Sequence, residues 1–378
     1  MAAGWSAAVP ARQSAAPAPS AFPALETGRA RFILLLAALC TLGVVRPMAQ
    51  SWSAPSGLEQ QAAAPAGDDL QLYRQIIDRL RAGESSYPAT ATLLRDNDYP
   101  LRPFITFRLP TLALLLAAMP GWLGTALLTC LCAATIFVWT VRLGKTGLAE
   151  RPLMAASLLL LAGSIALAAP RLTPFHESWA ALLIALSLAL HRTDRWGPSV
   201  ALALLALLIR ELALPFVLLM GAAAPWQRRW REAGRWAFIV ALFALALALH
   251  AHAVASVVLP GDPASPGWMT PGDWPRVLTA LRDASILGAL PVPTTALLAP
   301  LALLGCRGDP ASRLAALYSA GFAVMMMLGR PQNYYWIAMI MPLFLAGLAF
   351  APAALRDLVR AARAPDRSPL AKSRGNVT

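Results

Sequence analysis

Apolar stretches of membrane-spanning length recur along the chain and constrain its fold more than any other feature. A transmembrane helix needs about 20 mainly apolar residues. Hydrophobic residues make up 58% of the 378 residues and charged residues only 13%, which lies outside the range of soluble globular domains. The sequence therefore predicts an all-α, polytopic helical membrane protein with about ten transmembrane helices, at 31–48, 104–119, 122–142, 152–169, 177–190, 199–219, 236–259, 284–304, 313–329 and 335–350.

Basic residues between these stretches predict the orientation, because Lys and Arg in short loops are retained in the cytoplasm. The segment "WQRRWREAGRW", 226–236, carries four arginines, and the tail 351–378 is also basic. With ten crossings, both segments and the N-terminus are cytoplasmic, and the loops 49–103 and 260–283 lie outside. The net charge of +13 is then a topology signal, so no nucleic-acid partner is predicted.

The first 30 residues are rich in Ala, Pro and Ser, and we predict a disordered cytoplasmic tail before a membrane domain over 31–350. A cleaved signal peptide is the alternative, although the polar region is long for one. The cysteines fall in or at the end of apolar stretches, where a thiol is usually a small core hydrophobe, so no disulfide is expected. Four histidines are too few to suggest a metal cluster, and no cofactor is predicted.

The segment "GDDLQLYRQIIDRL", 67–80, places two adjacent carboxylates at the start of an amphipathic helix in the first outer loop. The apolar positions 70, 73, 77 and 80 share one stripe, so the helix is expected to lie flat on the outer membrane surface. Asp68 followed by Gln71 also resembles a capping box, so one carboxylate could instead satisfy free backbone donors at the helix start. A catalytic role and a capping role for these two aspartates are compatible with each other.

This region resembles the GT-C superfamily of polyprenol-phosphate-dependent membrane glycosyltransferases. The superfamily's pattern has an Asp, a Tyr four residues later, then Gly and Tyr-Pro, which here are Asp69, Tyr73, Gly83 and Tyr87-Pro88. The layout of a short tail, one span, an acidic outer loop and a second outer loop after the seventh span is also similar. The resemblance covers the first seven spans in layout but only about 68–110 in sequence, and it assigns no subfamily.

The resemblance implies an enzyme of the bacterial inner membrane that moves a sugar from a polyprenyl-phosphate donor to an acceptor on the outer face. Asp69, or Asp68, would be the general base that deprotonates the attacking hydroxyl, and Tyr73 would contact the substrate. The leaving group is a stabilised phosphate, which needs nearby cations rather than a protein acid.

Three arginines near the outer side could supply that positive charge. Arg102 and Arg108 flank "PFITF", and Arg330 begins the turn "GRPQNYYW", 329–336. A guanidinium can hold phosphate oxygens in a bidentate fork, although Arg102 and Arg330 could equally be interfacial anchors. In the same turn, Gln332, Asn333, Tyr334 and Tyr335 form a polar and aromatic set that suits sugar hydroxyls, and Asn333 and Tyr334 are the predicted binding residues. Tyr is also common at membrane interfaces.

Two adjacent charges, Arg210 and Glu211, lie near the centre of the sixth stretch in "LLIRELALPF". A charge at the bilayer centre costs about 2.5–3.5 kcal/mol, so both should face a polar cavity or partners within the bundle. They could bind substrate or make a structural contact between spans. Neighbouring residues of a helix point about 100° apart, so the two are not expected to satisfy each other fully.

Two further polar segments are not predicted to belong to the outer site. His176 and Glu177 are predicted at the cytoplasmic end of the fifth span, far from the outer site, although one miscounted span would reverse that judgement. In the second outer loop, Asp273 precedes Trp-Pro, which favours a helix cap over a role in a site.

Other classes of function remain open. A secondary transporter would show internal repeats and paired broken spans, and no convincing repeat is present. A non-catalytic scaffold does not explain the charges clustered in the first outer loop. A lipid-linked oligosaccharide polymerase or ligase would use the same outer arginines and lipid-linked sugars, so it stays an alternative. The sugar and the acceptor are not predicted.

Overall fold

The computed structural model describes residues 25–51, 65–305 and 309–365, and these ranges are helical with no strand, which confirms the all-α fold class. The α-helices are α1 (Thr27–Ser51), α2 (Pro65–Arg81), α3 (Ser86–Asp96), α4 (Thr111–Ala117), α5 (Gly121–Gly144), α6 (Glu150–Ser164), α7 (His176–Leu190), α8 (Gly197–Ile209), α9 (Leu214–Trp226), α10 (Trp230–Ala255), α11 (Trp274–Asp283), α12 (Val292–Leu304), α13 (Pro310–Met326), α14 (Met341–Phe344) and α15 (Ala351–Arg363). Short 3₁₀ helices lie at Phe104–Thr106, Ile165–Ala168, Pro170–Leu172, Glu211–Ala213, Ile286–Ala289, Pro331–Met339 and Leu345–Ala349.

Three helical segments in the described ranges are long and apolar enough to cross a membrane: Gly121–Gly144, Glu150–Ala168 and Trp230–Ala255. A fourth is added if Met341–Ala349 and Ala351–Arg363, which are bent by 62°, count as one span. The prediction of about ten spans is therefore too high for the described chain. Several of the other apolar helices have about 13 residues and reach only about 20 Å, short of a hydrocarbon core of about 30 Å.

Large apolar side chains on the long helices point outward. A water-soluble protein rarely exposes contiguous apolar surface, and such surface marks contact with a membrane or a partner. These helices are compatible with a membrane protein. Examples on α1, α5 and α10 are Phe32, Leu39, Trp122, Phe137, Phe238 and Leu249.

The predicted second span, 104–119, is not a spanning helix. Only α4, seven residues long, is α-helical there, and Pro110 and Pro120 bracket it. Proline lacks a backbone donor, so it ends a helix that hydropathy alone would continue. One predicted crossing is thereby lost.

Losing this crossing moves the turn before α7 to the end of the bundle that carries α2. Arg74 of α2 donates from Nη2 to the carbonyl oxygen of Arg171, at 3.0 Å. His176 and Glu177, the first residues of α7, follow this turn. The expectation that they lie far from the acidic loop is therefore wrong, and the cause is the miscounted span.

The predicted sixth span, 199–219, is broken in the middle. Arg210 has an extended backbone (φ −148°, ψ 116°), so α8 ends before it and α9 begins at Leu214. Pro215 lies in the first turn of α9, where a missing donor is tolerated. The structure therefore has two short helices here instead of the one continuous span that the sequence predicts.

The chain reverses direction at this break. Arg210 pairs with Glu177 at the start of α7, whereas beyond α9 the side chain of Glu232 meets His191 at the end of α7, with Oε1 and Nε2 2.8 Å apart. Helix α9 therefore runs back toward the end from which α8 came. Together α8 and α9 form a helical hairpin whose tip is 210–213.

The bundle thus has two distinct ends. The end that carries α2, α3, residues 170–176 and the tip 210–213 is called the site end. The end that carries residues 189–196 and 226–232 is called the basic end. Arg142 at the end of α5 also belongs there, since its Nη1 donates to the carbonyl oxygen of His191 at 2.7 Å.

The described ends of the chain meet at the basic end. Thr27 at the start of α1 donates from Oγ1 to the carbonyl oxygen of Ala364, 3.2 Å away. Helix α15 begins near Gly347, whose backbone contacts that of Gly305. Shortly after Gly305, Asp309 Oδ1 lies 3.6 Å from Nε of Arg142, which belongs to the basic end. Which side of a membrane this end faces stays a prediction.

Both predicted tails are partly helical. Helix α1 begins at Thr27, inside the segment predicted to be disordered, while residues 1–24 lie outside the described ranges. In the basic tail, α15 packs on α1 and buries Ala351, Ala354 and Leu358, and residues 366–378 lie outside the described ranges. The tail therefore begins as an amphipathic helix.

Helix α2 confirms the predicted amphipathic helix but corrects its setting. Leu72, Ile76 and Ile77 are buried against α3 and α4, so the apolar face packs on protein rather than on the membrane surface. The helix begins at Pro65, three residues before the predicted cap, so neither aspartate caps it. For Asp68 the structure describes only the backbone. Asp273, by contrast, caps α11 as predicted and accepts from the backbone amide of Arg276 at 3.1 Å.

Candidate functional site

A cavity of about 200 Å³ opens at the site end, between α2, α3, the segment 99–113 and the turn 329–335. Its walls divide into two chemical types. One part of the wall is apolar and includes Leu72, Ile76, Leu80, Leu94 and Leu112. The other part is polar and includes Asp69, Tyr73, Arg108, His176, Asn333 and Tyr335. Such a surface suits a ligand with a polar head and a hydrocarbon chain.

Asp69 presents a largely buried carboxylate to this cavity. Tyr99 donates its hydroxyl hydrogen to Oδ1 at 2.6 Å, which fixes the carboxylate. Burial raises the pKa of Asp69 above that of an exposed Asp, although the bond from Tyr99 and the charge of Arg108 oppose this. A carboxylate with a raised pKa is a stronger base than an ordinary one.

Arg108 is held from three sides at the cavity wall. Its Nε lies 3.3 Å from the hydroxyl of Tyr73, its Nη1 lies 3.3 Å from Glu211 Oε1, and its Nη2 lies 3.5 Å from the hydroxyl of Tyr335. About a fifth of the side chain, 21%, stays accessible. Burial raises the pKa of Tyr73, so this phenol stays neutral beside the guanidinium. The fixed cation can receive an anion from the cavity.

Behind the cavity wall, Arg210 completes a charge cluster. Only 1% of its side chain is exposed; its Nε donates to Glu177 Oε1 at 2.6 Å, and its Nη1 pairs with Glu211. The extended backbone at Arg210 lets the adjacent side chains pair, although a continuous helix would point them apart. As expected, each also needs a further partner: Glu177 for Arg210 and Arg108 for Glu211. With Arg108 the cluster holds two cations and two anions, as a buried charge group requires.

The other predicted binding residues are divided between the cavity and its surroundings. Arg330 and Asn333 line the cavity, and Arg330 Nη1 donates to the carbonyl oxygen of Gly267 at 3.0 Å. Arg102 lies outside the lining, and its guanidinium donates to the carbonyl oxygen of Asp262. Tyr334 lies in a neighbouring depression.

Tyr99, His176 and Tyr335 line the cavity although they are not among the predicted binding residues. The prolines at 110 and 120 are the sequence signal for His176. They argue against the second span, and without that span His176 lies at the site end. Tyr335 is the neighbour of the chosen Tyr334, and a residue's orientation in a 3₁₀ turn has no clear periodic signal. Tyr99 precedes a proline, but nothing in the sequence points it at Asp69.

A bidentate ion pair joins the two loops above the cavity. Arg95 of α3 donates from Nε to Asp262 Oδ1 at 2.8 Å and from Nη2 to Oδ2 at 2.7 Å. This pairing lowers the pKa of Asp262 to about 2. Asp262 thus holds the second loop against α3.

Among the described residues, no group of three or more His, Cys, Asp or Glu side chains is arranged to hold a metal ion. Comparison with known proteins finds no match: no family model, no curated protein and no solved structure is significantly similar to this chain.

Proposed function

We propose that this protein is a GT-C-like integral membrane glycosyltransferase that takes a sugar from a polyprenyl-phosphate donor at this cavity. The proposal includes an inner-membrane setting with the cavity on the outer face. It rests on one observation above all: a buried carboxylate, a fixed guanidinium and an apolar wall line the same cavity. The local resemblance of 68–110 to the GT-C pattern supports the same assignment.

In the proposed reaction, the acceptor hydroxyl attacks the anomeric carbon of the sugar. Its oxygen forms the new bond to that carbon while its proton passes to the carboxylate of Asp69. The bond from the anomeric carbon to the phosphate oxygen breaks, and the polyprenyl phosphate leaves with the electron pair. Arg108 stabilises the negative charge that develops on this phosphate.

The binding of the donor follows from the two halves of the wall. The prenyl chain lies along the leucine and isoleucine side chains of α2 and α3, where burial of apolar surface stabilises it. The phosphate meets Arg108, which Tyr73, Glu211 and Tyr335 hold in place before the ligand arrives. A preorganised cation loses little side-chain entropy on binding.

The test is transfer by the purified protein in lipid nanodiscs, with undecaprenyl-phosphate sugars as donors and release of undecaprenyl phosphate as the readout. Asp69→Asn keeps the size of the side chain but removes the base, so transfer should fall by about 10²–10⁴-fold. Asp78→Asn, on the exposed side of the same helix, is the matched control. Asp68→Asn tests the neighbouring carboxylate.

Two results would contradict the proposal. One is a wild-type protein that releases no polyprenyl phosphate from any donor. The other is parental activity in both the Asp69→Asn and Asp68→Asn variants.

A second candidate, secondary transport, is favoured by the break between α8 and α9. Broken helices with charges at the break are typical of transporter binding sites, and Arg210 and Glu211 occupy such a break. Transport predicts uptake of a labelled solute into proteoliposomes with no covalent product. Transfer without uptake would exclude it.

A further inference from the structure

Two buried polar side chains in the cavity wall carry nitrogen atoms that have no hydrogen-bond partner within the described chain. Neither ring nitrogen of His176 is partnered, and the side-chain nitrogen of Asn333 is also unpartnered. His176 is 3% exposed and Asn333 is 8% exposed. Buried polar atoms without partners are rare in native proteins, and each costs free energy unless something else satisfies it.

Each of these residues is next to a tyrosine that holds the guanidinium of Arg108, His176 in space and Asn333 along the chain. The ring of His176 meets Tyr73 edge-on, with centroids 4.9 Å apart, and the hydroxyl of Tyr73 lies 3.3 Å from Arg108 Nε. Asn333 stands two residues before Tyr335, whose hydroxyl lies 3.5 Å from Arg108 Nη2. Both residues line the cavity. Both residues with unpartnered atoms therefore line the cavity that Arg108 also lines, where the donor phosphate is proposed to bind.

The hydrogen-bonding capacity of these atoms restricts what can satisfy them. A neutral imidazole needs one acceptor and one donor from its ligand, and the amide nitrogen of Asn needs acceptors. A prenyl chain offers neither, and a fully ionised phosphate offers acceptors only. A sugar hydroxyl offers both a donor and an acceptor on one oxygen.

We propose that His176 and Asn333 form a subsite for the hydroxyl groups of the donor's sugar ring. This inference rests on the proposed function and deepens it, because it names an uncharged, hydroxyl-bearing sugar as the group that distinguishes the donor from its product. The sugar lies between the two side chains, and its phosphate lies at Arg108. Release of the product then leaves both side chains without partners.

The experiment compares two kinds of lipid on the full chain in nanodiscs. One is undecaprenyl phosphate, and the other is the same lipid carrying one sugar, namely glucose, mannose or arabinose in separate titrations. Wild-type protein should bind at least one glycosylated lipid about tenfold or more tightly than the bare lipid, as two satisfied buried groups allow.

Two variants locate this preference. His176→Phe keeps an aromatic ring against Tyr73 but has no polar atom, and Asn333→Leu removes the amide at similar size. Each should lower the preference for the glycosylated lipid by about fivefold or more while the affinity for the bare lipid stays within about twofold. Ser178→Ala is the control, because Ser178 is also buried and unpartnered but does not line the cavity.

Each outcome decides the proposal. If no glycosylated lipid binds more tightly than the bare lipid, or if both variants keep the full preference, the subsite is wrong although transfer can still be observed. If neither lipid binds and no transfer occurs, the proposed function fails as well. His176→Asn retains one donor and one acceptor, so it should restore part of the preference; failure to do so while folded also counts against the subsite.

Discussion

Asp69 depends on its surroundings for the base strength that the proposed reaction needs. Burial raises its pKa, and the hydrogen bond from Tyr99 lowers it in part. Transfer should therefore be lost as pH falls through this pKa, at a higher pH than for an exposed Asp. The pH dependence is a property of one side chain and its immediate partners.

Tyr99→Phe tests this dependence. The variant removes a hydrogen bond that stabilises the ionised carboxylate, so the pKa of Asp69 should rise and the acidic limb of the pH–rate profile should move to higher pH. Tyr318→Phe, a buried tyrosine that does not line the cavity, should leave the limb unchanged. If the acidic limb of the Tyr99→Phe variant stays in place or moves to lower pH, ionisation of Asp69 does not control the rate of transfer.

Arg108→Lys tests the phosphate contact. Lysine keeps the charge but cannot reproduce a bidentate fork, so donor affinity should fall by about tenfold. Binding of undecaprenyl phosphate measures the effect, with the exposed Arg74→Lys as the control. Unchanged affinity would return Arg108 to the class of interfacial anchors.

At the scale of residues, the sequence identified those members of the cavity that carry local chemical patterns. Asp69 and Arg108 are predicted correctly as residues of the cavity, because each belongs to a pattern of neighbouring residues in the sequence. Asp69 is a carboxylate near a helix start, and Arg108 precedes an apolar run. The sequence does not predict that Tyr335 rather than Tyr334 faces the cavity, because this depends on backbone geometry in a 3₁₀ turn. His176 was placed at the wrong end because its position depends on the number of crossings before it.

At the scale of elements, the pairing of Arg95 and Asp262 holds the second loop against α3. The pKa of Asp262 in the folded protein, about 2, lies below its ordinary value of 3.8. A depressed pKa means that the stabilisation is fully present above the ordinary value and is lost as pH falls toward 2.

Asp262→Asn removes this contribution. The midpoint of thermal unfolding should be lower in the variant than in the wild type above about pH 4, and the difference should close as pH falls toward 2. A difference as large at pH 2 as above pH 4 would mean that the charge of Asp262 is not its source.

Gly347 permits the close packing of α12 against the segment before α15. An added Cβ would collide with the carbonyl oxygen of Ala302, so Gly347→Ala should lower the free energy of unfolding by about 1–3 kcal/mol. Gly321→Ala is the matched control, because Gly321 lies in helix α13 with open space around it. Alanine favours the helix there, so the control should be neutral or stabilising. Equal thermal midpoints for both variants would contradict the packing argument.

The elements that sequence analysis misjudged share one cause. Mean hydropathy measures how much apolar sequence is present but not whether the chain continues in one direction. The stretch 104–119 is interrupted by prolines, and the stretch 199–219 reverses at Arg210. Helix α2 was found because its periodicity is local, whereas its packing against α3 and α4 depends on the fold.

At the scale of the whole molecule, the corrected count of crossings predicts which loops share a side. Arg171→Cys should be labelled by a membrane-impermeant thiol reagent from the same side as Asp98→Cys, and from the side opposite to Arg195→Cys. The native cysteines would first be replaced by alanine. Labelling of positions 98 and 195 from one side and of position 171 from the other would restore the original count and remove His176 from the site.

The contact between Thr27 and Ala364 has a consequence for the order of the chain. Since Thr27 Oγ1 and the carbonyl oxygen of Ala364 lie 3.2 Å apart, a short linker from residue 365 to residue 26, with residues 1–25 and 366–378 removed, would close the remaining polypeptide into a ring. New ends could then be opened in the exposed residues 192–195, which lie at the same end of the bundle. Every helix would keep its direction, because the junction and the cut lie on one side. Circular permutation would then change the order in which the helices are synthesised while preserving the finished bundle.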